Sequence, residues 1–421
     1  MTRLLTLLLF FLIVFSTFGQ QLSYEEVKQL EMVVPDRQNS QWAKNQPYVV
    51  MLSIDGFRHD YAEMYQAKNI LSVAKNGVST QSLIASFPTK TFPNHYTLVT
   101  GLYPGNHGLV SNEFYSREKD YWYKIRDKSA VQDGSWYGGV PLWTLAEQQG
   151  MLSANFFWVG SEAPIGGSLS TYSYQYNSGV SNQHRVQRIL DWLQMPPEIR
   201  PHMILGYFSL VDDAGHRYGP EHAKTKEAVL RIDELVGQLI RGLEKLNLPV
   251  HIVLVSDHGM STITNGMVLP EMIDLEDAKV SYSFPPMIYQ SDSAKLERLY
   301  DQLLQIEGLY VYRQEQVPNY LHFSNRDRIG DLVLMTDAPT IIMEKPQVVT
   351  GGTHGFDPYA DRDMGAIFYG QGPLFKSGVE ISPVENIHIY PLIAEILGLK
   401  ITEPIDGKLE MMDYLLSKAE N

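Results

Sequence analysis

Six acidic and imidazole side chains in this 421-residue chain stand in patterns that suit catalytic metal ions: Asp55 after an apolar run, Asp212 and His216 four residues apart, adjacent Asp257 and His258, and His354 between glycines. Carboxylate oxygen and imidazole nitrogen are the ligands zinc takes when thiolate is absent, and the chain has no cysteine. The six divide into two sets of three, each leaving a position open for substrate or water, which marks catalytic rather than structural zinc. A lone aspartate reads as a helix cap or turn former. Four such groups beside Gly56, Gly215, Gly259, Gly352 and Gly355 read as a site, because short turns let side chains approach one point. Thr91 adds a hydroxyl: it lies in Phe87-Pro-Thr-Lys-Thr91-Phe-Pro-Asn-His95, between a proline-bounded turn and a helix start. There it can face helix N-terminal amides, which favour phosphate. The pattern is equally that of a helix cap, with Thr91 or Asn94 satisfying backbone donors.

The elements that must carry these residues are legible as runs. Tyr48 to Gly56, Met203 to Asp212 and His251 to Gly259 are short and mostly apolar, as buried parallel strands are, and each is expected to end in its aspartate. Between the last two, Val229, Ile232, Val236, Leu239 and Leu243 repeat at three and four residues and predict a helix over 221–246. Strand, helix, strand implies an α/β fold, a mostly parallel central sheet flanked by helices, with the ligand crevice beyond the carboxyl ends of the strands. Over 262–349 the pattern changes to a helix near 293–306 and short strands near 309–312 and 331–335, read as a small inserted α+β subdomain. The catalytic domain then comprises 47–261 and 350–421, closing with a helix near 389–397, and 20–46 is a lead-in with a short helix.

Residues 1–19 read as a cleavable signal peptide: Arg3, an apolar tract from Leu4 to Phe15, then small residues up to Gly19. No later segment reaches membrane-spanning length, so the expectation is a periplasmic or secreted protein without a stable membrane span. An exported chain without cysteine relies on its core and bound metal. With 34 basic against 48 acidic residues the net charge is −14, which disfavours long nucleic acid as a partner. A monomer is expected.

The strings Ser53-Ile-Asp55-Gly-Phe-Arg58, Phe87 to Tyr96, Gly101-Leu-Tyr-Pro-Gly-Asn-His-Gly108, Ser111-Asn112-Glu113, Asp212-Asp-Ala-Gly-His216, Ser256-Asp-His-Gly-Met260 and Gly352-Thr-His354-Gly-Phe occur in one order over nearly all of 47–400. Together they resemble the nucleotide pyrophosphatase/phosphodiesterase family. The resemblance implies an alkaline-phosphatase-like fold and two zinc ions. Asp212, His216 and His354 would bind one, and Asp55, Asp257 and His258 the other with the Thr91 oxygen as a further ligand. It implies that Thr91 is the nucleophile, passing through a phosphothreonine, and that Asn112 and the Thr91–Phe92 amides hold phosphate oxygens. It also implies a small nucleotide diester or pyrophosphate as substrate, with Phe92 as one wall of a base slot and Tyr172 or Tyr174 as the other.

Rival readings share the scaffold. A choline-type phosphodiesterase remains open, as does a phosphomonoesterase, although no arginine stands in a matching motif to meet the extra charge of a monoester. A sulfatase would need cysteine or serine where Thr91 stands. A non-catalytic binding protein would have lost a ligand or the nucleophile, and all seven positions carry competent residues.

Overall fold

The computed structural model describes residues 21–417; the signal-peptide reading of 1–19 lies outside them. Nine strands form the central sheet in the order Met32–Val33, Tyr172–Tyr174, Ser153–Phe156, Met203–Phe208, Tyr48–Ile54, Val250–Val255, Phe368–Gln371, Val78–Thr80, Val379–Ile381. From Tyr172–Tyr174 across to Val250–Val255 every neighbouring pair is parallel, while Phe368–Gln371 enters antiparallel on both sides. The sheet is therefore mostly parallel.

Every residue of Tyr48–Ile54 is buried, because helices cover both faces. Val50, Leu52 and Ile54 meet Ile70, Ile189, Val229, Ile232 and Val236 on one side. Val49 and Met51 lie in the core of the other side with Tyr96, Leu98, Trp143, Tyr390 and Ile393. Each such aliphatic side chain contributes about 1.5–3 kcal/mol relative to exposure, so the strand ends that carry the acids are a rigid edge. The helix read over 221–246 spans Ala223–Leu243, and the closing helix spans Ile389–Ile396.

Residues 262–349 build their own antiparallel sheet, in the order Lys279–Ser281, Met287–Tyr289, Leu332–Met335, Tyr310–Arg313. The helix Ser293–Leu303 supplies Leu299 and Leu303 to a third core with Ile288, Leu332 and Leu334. Where the chain leaves and returns, Ser261–Thr262 pairs antiparallel with Gly352–Thr353. That two-residue ladder sets His354 down beside Asp257 and His258. Among the described residues no helix is long and apolar enough to cross a membrane.

Candidate metal and nucleophile site

Asp55 directly follows the strand Tyr48–Ile54, and Asp257 follows Val250–Val255 after one residue. Asp212 departs from the expected pattern. The strand Met203–Phe208 stops earlier, and Asp212 sits in the first turn of the helix Leu210–Tyr218. This is what places Asp212 and His216 together: four residues on a helix share one face.

The turn after Asp55 is tight enough to require glycine. Gly56 has φ +66°, and a Cβ there would stand 2.9 Å from the Asp212 Cα and side chain. At Gly259 a Cβ would meet the Asp363 carbonyl at 1.9 Å, so only glycine lets the loop after His258 lie against residue 363.

Six ligand-type residues converge in two groups, Asp55, Asp257 and His258 in one, Asp212, His216 and His354 in the other, with ligand atoms in each within 4.8 Å of one another. The groups abut, since the His258 and His354 rings stack at 3.5 Å. Each imidazole spends Nδ1 on a backbone carbonyl: His216 on Gly352 at 2.9 Å, His258 on Gly259 at 2.9 Å, and His354 on Thr89 at 2.6 Å. Such bonds set the tautomer and leave Nε2 as the free ligand atom. The Asp55 Oδ1, Asp212 Oδ1 and Asp257 Oδ2 atoms are buried and accept no hydrogen bond. Buried carboxylate oxygens without donors are costly unless a cation meets them, so this donor set fits two divalent ions.

The electrostatics point the same way. Burial, then Asp257 and Asp212, hold the Asp55 carboxyl well above its ordinary range. Burial likewise raises Asp212, against the pull of His216 and His258. Burial works to raise Asp257 as well, but His258 and His95 override it and hold that group well below the usual carboxylate value. His354 is held well below the ordinary histidine value by burial, then by His258, Lys90 and His216. Lys90 is buried beside the same three acids, and desolvation pushes its ammonium down to about 8 against their opposing attraction.

Thr91 opens the helix Thr91–Thr100, whose N-terminus has no side-chain cap. Its hydroxyl faces His258 Nε2 at 3.3 Å. Asn94 meanwhile holds the preceding loop, donating from Nδ2 to the Ser86, Pro88 and Lys90 carbonyls. Neither residue caps the helix, and the Thr91 oxygen stays free for chemistry. Asn112 accepts the Phe92 amide on Oδ1 at 3.0 Å. The Phe92 N–H is thereby committed to Asn112, which corrects the expectation that it faces phosphate.

Two further residues join the site. His95, one helical turn after Thr91, places Nδ1 2.8 Å from the Thr91 carbonyl and 3.3 Å from Asp257 Oδ2. Tyr207 donates its hydroxyl to Asp55 Oδ2 at 2.5 Å. The four-residue spacing from Thr91 was a readable signal for His95. Tyr207 lies in an apolar strand, where nothing sets it apart from packing residues.

Phe92 is half-buried, edge-on to Tyr123 at 6.3 Å. The structure does not bring Tyr172 and Tyr174 to it. Tyr174 is 1% exposed, stacked on Phe156 at 4.1 Å, and Tyr172 is 6% exposed with its hydroxyl on the Ile199 carbonyl. Strand pleating sends both to the face packed by the helix Asn182–Leu193. Tyr176, beyond the strand end, is 46% exposed and lies 6.4 Å from Tyr207. Its amide donates to Glu162 at 3.0 Å.

Comparison with known proteins agrees with this architecture. Murine ectonucleotide pyrophosphatase/phosphodiesterase 5 superposes with a TM-score of 0.83 at 29% identity, covering 88% of this chain and 100% of that one. The same protein has been solved in an inactive form in complex with AMP. The fold is thus α/β and alkaline-phosphatase-like. Human ectonucleotide pyrophosphatase/phosphodiesterase family member 1 is 33% identical over 389 residues, 88% of this chain and 42% of that protein. A Naja atra venom phosphodiesterase is 32% identical over 88% of this chain and 46% of its own length. The chain spans less than half the length of these two. An uncharacterized pyrophosphatase/phosphodiesterase of Schizosaccharomyces pombe is 33% identical, with 87% of this chain and 79% of that protein aligned. Residues 49–357 match the family model for type I phosphodiesterase / nucleotide pyrophosphatase, and the chain belongs to that family.

Proposed function

We propose that this protein is an exported, zinc-dependent phosphodiesterase that hydrolyses nucleotide phosphodiester and pyrophosphate bonds and releases nucleoside 5′-monophosphates. The observation that carries the reading is the Thr91 hydroxyl, uncommitted to any backbone donor and 3.3 Å from His258 Nε2, beside two abutting ligand groups. Family membership and the AMP complex of the murine relative support a nucleotide.

Asp212, His216 and His354 would hold one zinc ion, and Asp55, Asp257 and His258 the other. When bound, such ions supply Lewis acidity, lowering the pKa of a hydroxyl and neutralising phosphate charge. Thr91 Oγ1 gives up its proton to solvent and attacks phosphorus as the bond to the leaving oxygen breaks, and that oxygen departs to be protonated by solvent. Water then cleaves the bond from phosphorus to Thr91 in this nucleotidylated phosphothreonine, freeing the nucleoside monophosphate and restoring the hydroxyl. The Asn112 Nδ2 donates to a non-bridging oxygen, its carboxamide held by the Phe92 amide. Tyr207 holds Asp55 in place through its hydroxyl, and His95 packs its ring beside Asp257.

Phe92 and Tyr176 form the base slot, where stacking contributes about 1–3 kcal/mol per base. Tyr176→Ala and Phe92→Ala are each expected to raise KM for a nucleotide diester by about tenfold and to leave KM for an aryl methyl diester nearly unchanged. An equal effect on both substrates would remove the slot. Tyr172→Phe should change neither value.

The test of the function is kcat/KM of the zinc-loaded protein on p-nitrophenyl thymidine-5′-monophosphate, p-nitrophenyl phosphate and p-nitrophenylphosphocholine. The first is expected to be preferred. Preference for the monoester would give the buried Lys90 a substrate role and make this a phosphatase, while preference for the choline ester would move it to the lipid-directed branch.

A further inference from the structure

The segment 262–349 contributes no ligand and no nucleophile, yet it grips the chain on either side of Asn112. Ser111 donates its hydroxyl to Ser283 Oγ at 2.8 Å. Ser281 donates to the Glu113 carbonyl at 2.7 Å and also receives the Ser283 amide at 3.4 Å. Ser111 and Ser281 are fully buried, so these bonds form in a seam where water does not substitute for a lost partner.

Asn112 needs such support because of where it stands. It precedes a two-stranded hairpin, Glu113–Ser116 paired with Tyr121–Lys124, that belongs to no larger sheet. Phe114 and Tyr123 pack inward against Trp136, which fixes the depth of the hairpin. Its backbone, by contrast, is tied largely to 262–349. The Tyr289 hydroxyl accepts the Tyr115 amide at 3.2 Å and donates to the Arg328 carbonyl at 2.8 Å. The Arg117 amide donates to the Asp327 carbonyl at 3.3 Å, and its guanidinium to the Ile329 carbonyl at 2.7 Å. The Asn112 carbonyl accepts the Ile125 amide at 3.2 Å, and its Oδ1 accepts the Phe92 amide.

We propose that Ser281 and Ser283 are positioning residues for the reaction: they hold Ser111 and Glu113, and through them aim the Asn112 carboxamide at the phosphate. This rests on the role given to Asn112 under the proposed function. Misplacing a transition-state donor by a fraction of an ångström lowers turnover more than binding. The pair Ser281→Ala and Ser283→Ala therefore lowers kcat on the thymidine diester by about tenfold with little change in KM.

The discriminating experiment is a kinetic cycle on that substrate with four zinc-loaded proteins: wild type, the serine pair, Asn112→Ala, and the triple variant, each checked by thermal unfolding. Asn112→Ala is expected to cost on the order of 10²-fold in kcat, and the triple variant to be no slower than Asn112→Ala alone. An equal further loss in both backgrounds overturns the inference, since a general structural role of the serines would not depend on Asn112. A full effect of Asn112→Ala with no effect of the serines overturns it too, while leaving the proposed function standing. If Asn112→Ala is without effect, the role of Asn112 itself falls, and the inference with it. Should the serine pair unfold, Ser283→Ala alone, at a half-buried position, is read in the same cycle.

Discussion

Thr91→Ala lowers kcat on a nucleotide phosphodiester by more than about 10³-fold while zinc content stays at the wild-type level. The argument is one of geometry and chemistry together. The Thr91 oxygen is the hydroxyl that opens the helix and faces His258 Nε2, and no side-chain cap or backbone donor occupies it. Removing it takes away the atom proposed to bond to phosphorus, whereas all six carboxylate and imidazole side chains that could hold metal remain in their groups. The measurement is steady-state kcat beside metal content by plasma mass spectrometry. Mass spectrometry of acid-quenched wild type should show a nucleotidyl adduct that the variant lacks. Turnover within tenfold of wild type would remove Thr91 from the mechanism. Loss of zinc together with activity would make it a ligand first and leave its nucleophilic role undecided by this variant, which is why Thr91→Ser, keeping the hydroxyl, is measured alongside and is expected to retain zinc and a substantial rate.

His354→Ala is expected to empty one of the two metal positions, weakening zinc there by at least about two orders of magnitude, with a fall in activity of similar or larger size. Asp212 and His216 alone would remain, and the His216 side chain is 40% exposed, so the third ligand is what closes the group. His354 is also the residue that ties the returning chain to the nucleophile loop, through the Thr89 carbonyl at 2.6 Å and the Gly355 amide on Thr89 Oγ1 at 2.8 Å. Equilibrium dialysis against a competing chelator reads the affinity, and thermal unfolding with and without zinc reads the linkage. Wild type should gain stability on metal addition, because the cations meet buried carboxylate oxygens that otherwise lack partners. Unchanged stoichiometry in the variant would refute the assignment.

How much of this was legible beforehand depended on the kind of signal. Strands whose residues are buried on both faces show as apolar runs, so Tyr48–Ile54 and Val250–Val255 could be read directly. The helix Ala223–Leu243 showed in its repeat for a similar reason, one face being apolar. The end of Met203–Phe208 could not be read, because Leu210 and Val211 continue the apolar run while belonging to the next helix. The tyrosines failed on register. Tyr172, Tyr174 and Tyr176 share a spacing of two, but the strand stops at Tyr174, and of the three it is Tyr176, beyond its carboxyl end, that is exposed. The rule that places ligands beyond strand ends favours Tyr176, which is why the proposed base slot uses it.

By itself the sequence determined which side chains are available for chemistry and which elements carry them, since residue type and hydrophobic period are local properties that survive without a fold. It contains the acids, the histidines, the free threonine and the absence of thiols. What only the tertiary structure decided is which of these meet. His354 stands more than 90 residues from His258 in the chain, yet stacks on it because a two-residue ladder closes the neck of 262–349. Asn112 points where it does because Phe92, Ile125 and, through its neighbours, two serines of that same segment hold it. Contacts between distant parts of a chain depend on how packed layers dock, and no periodicity in the sequence encodes them.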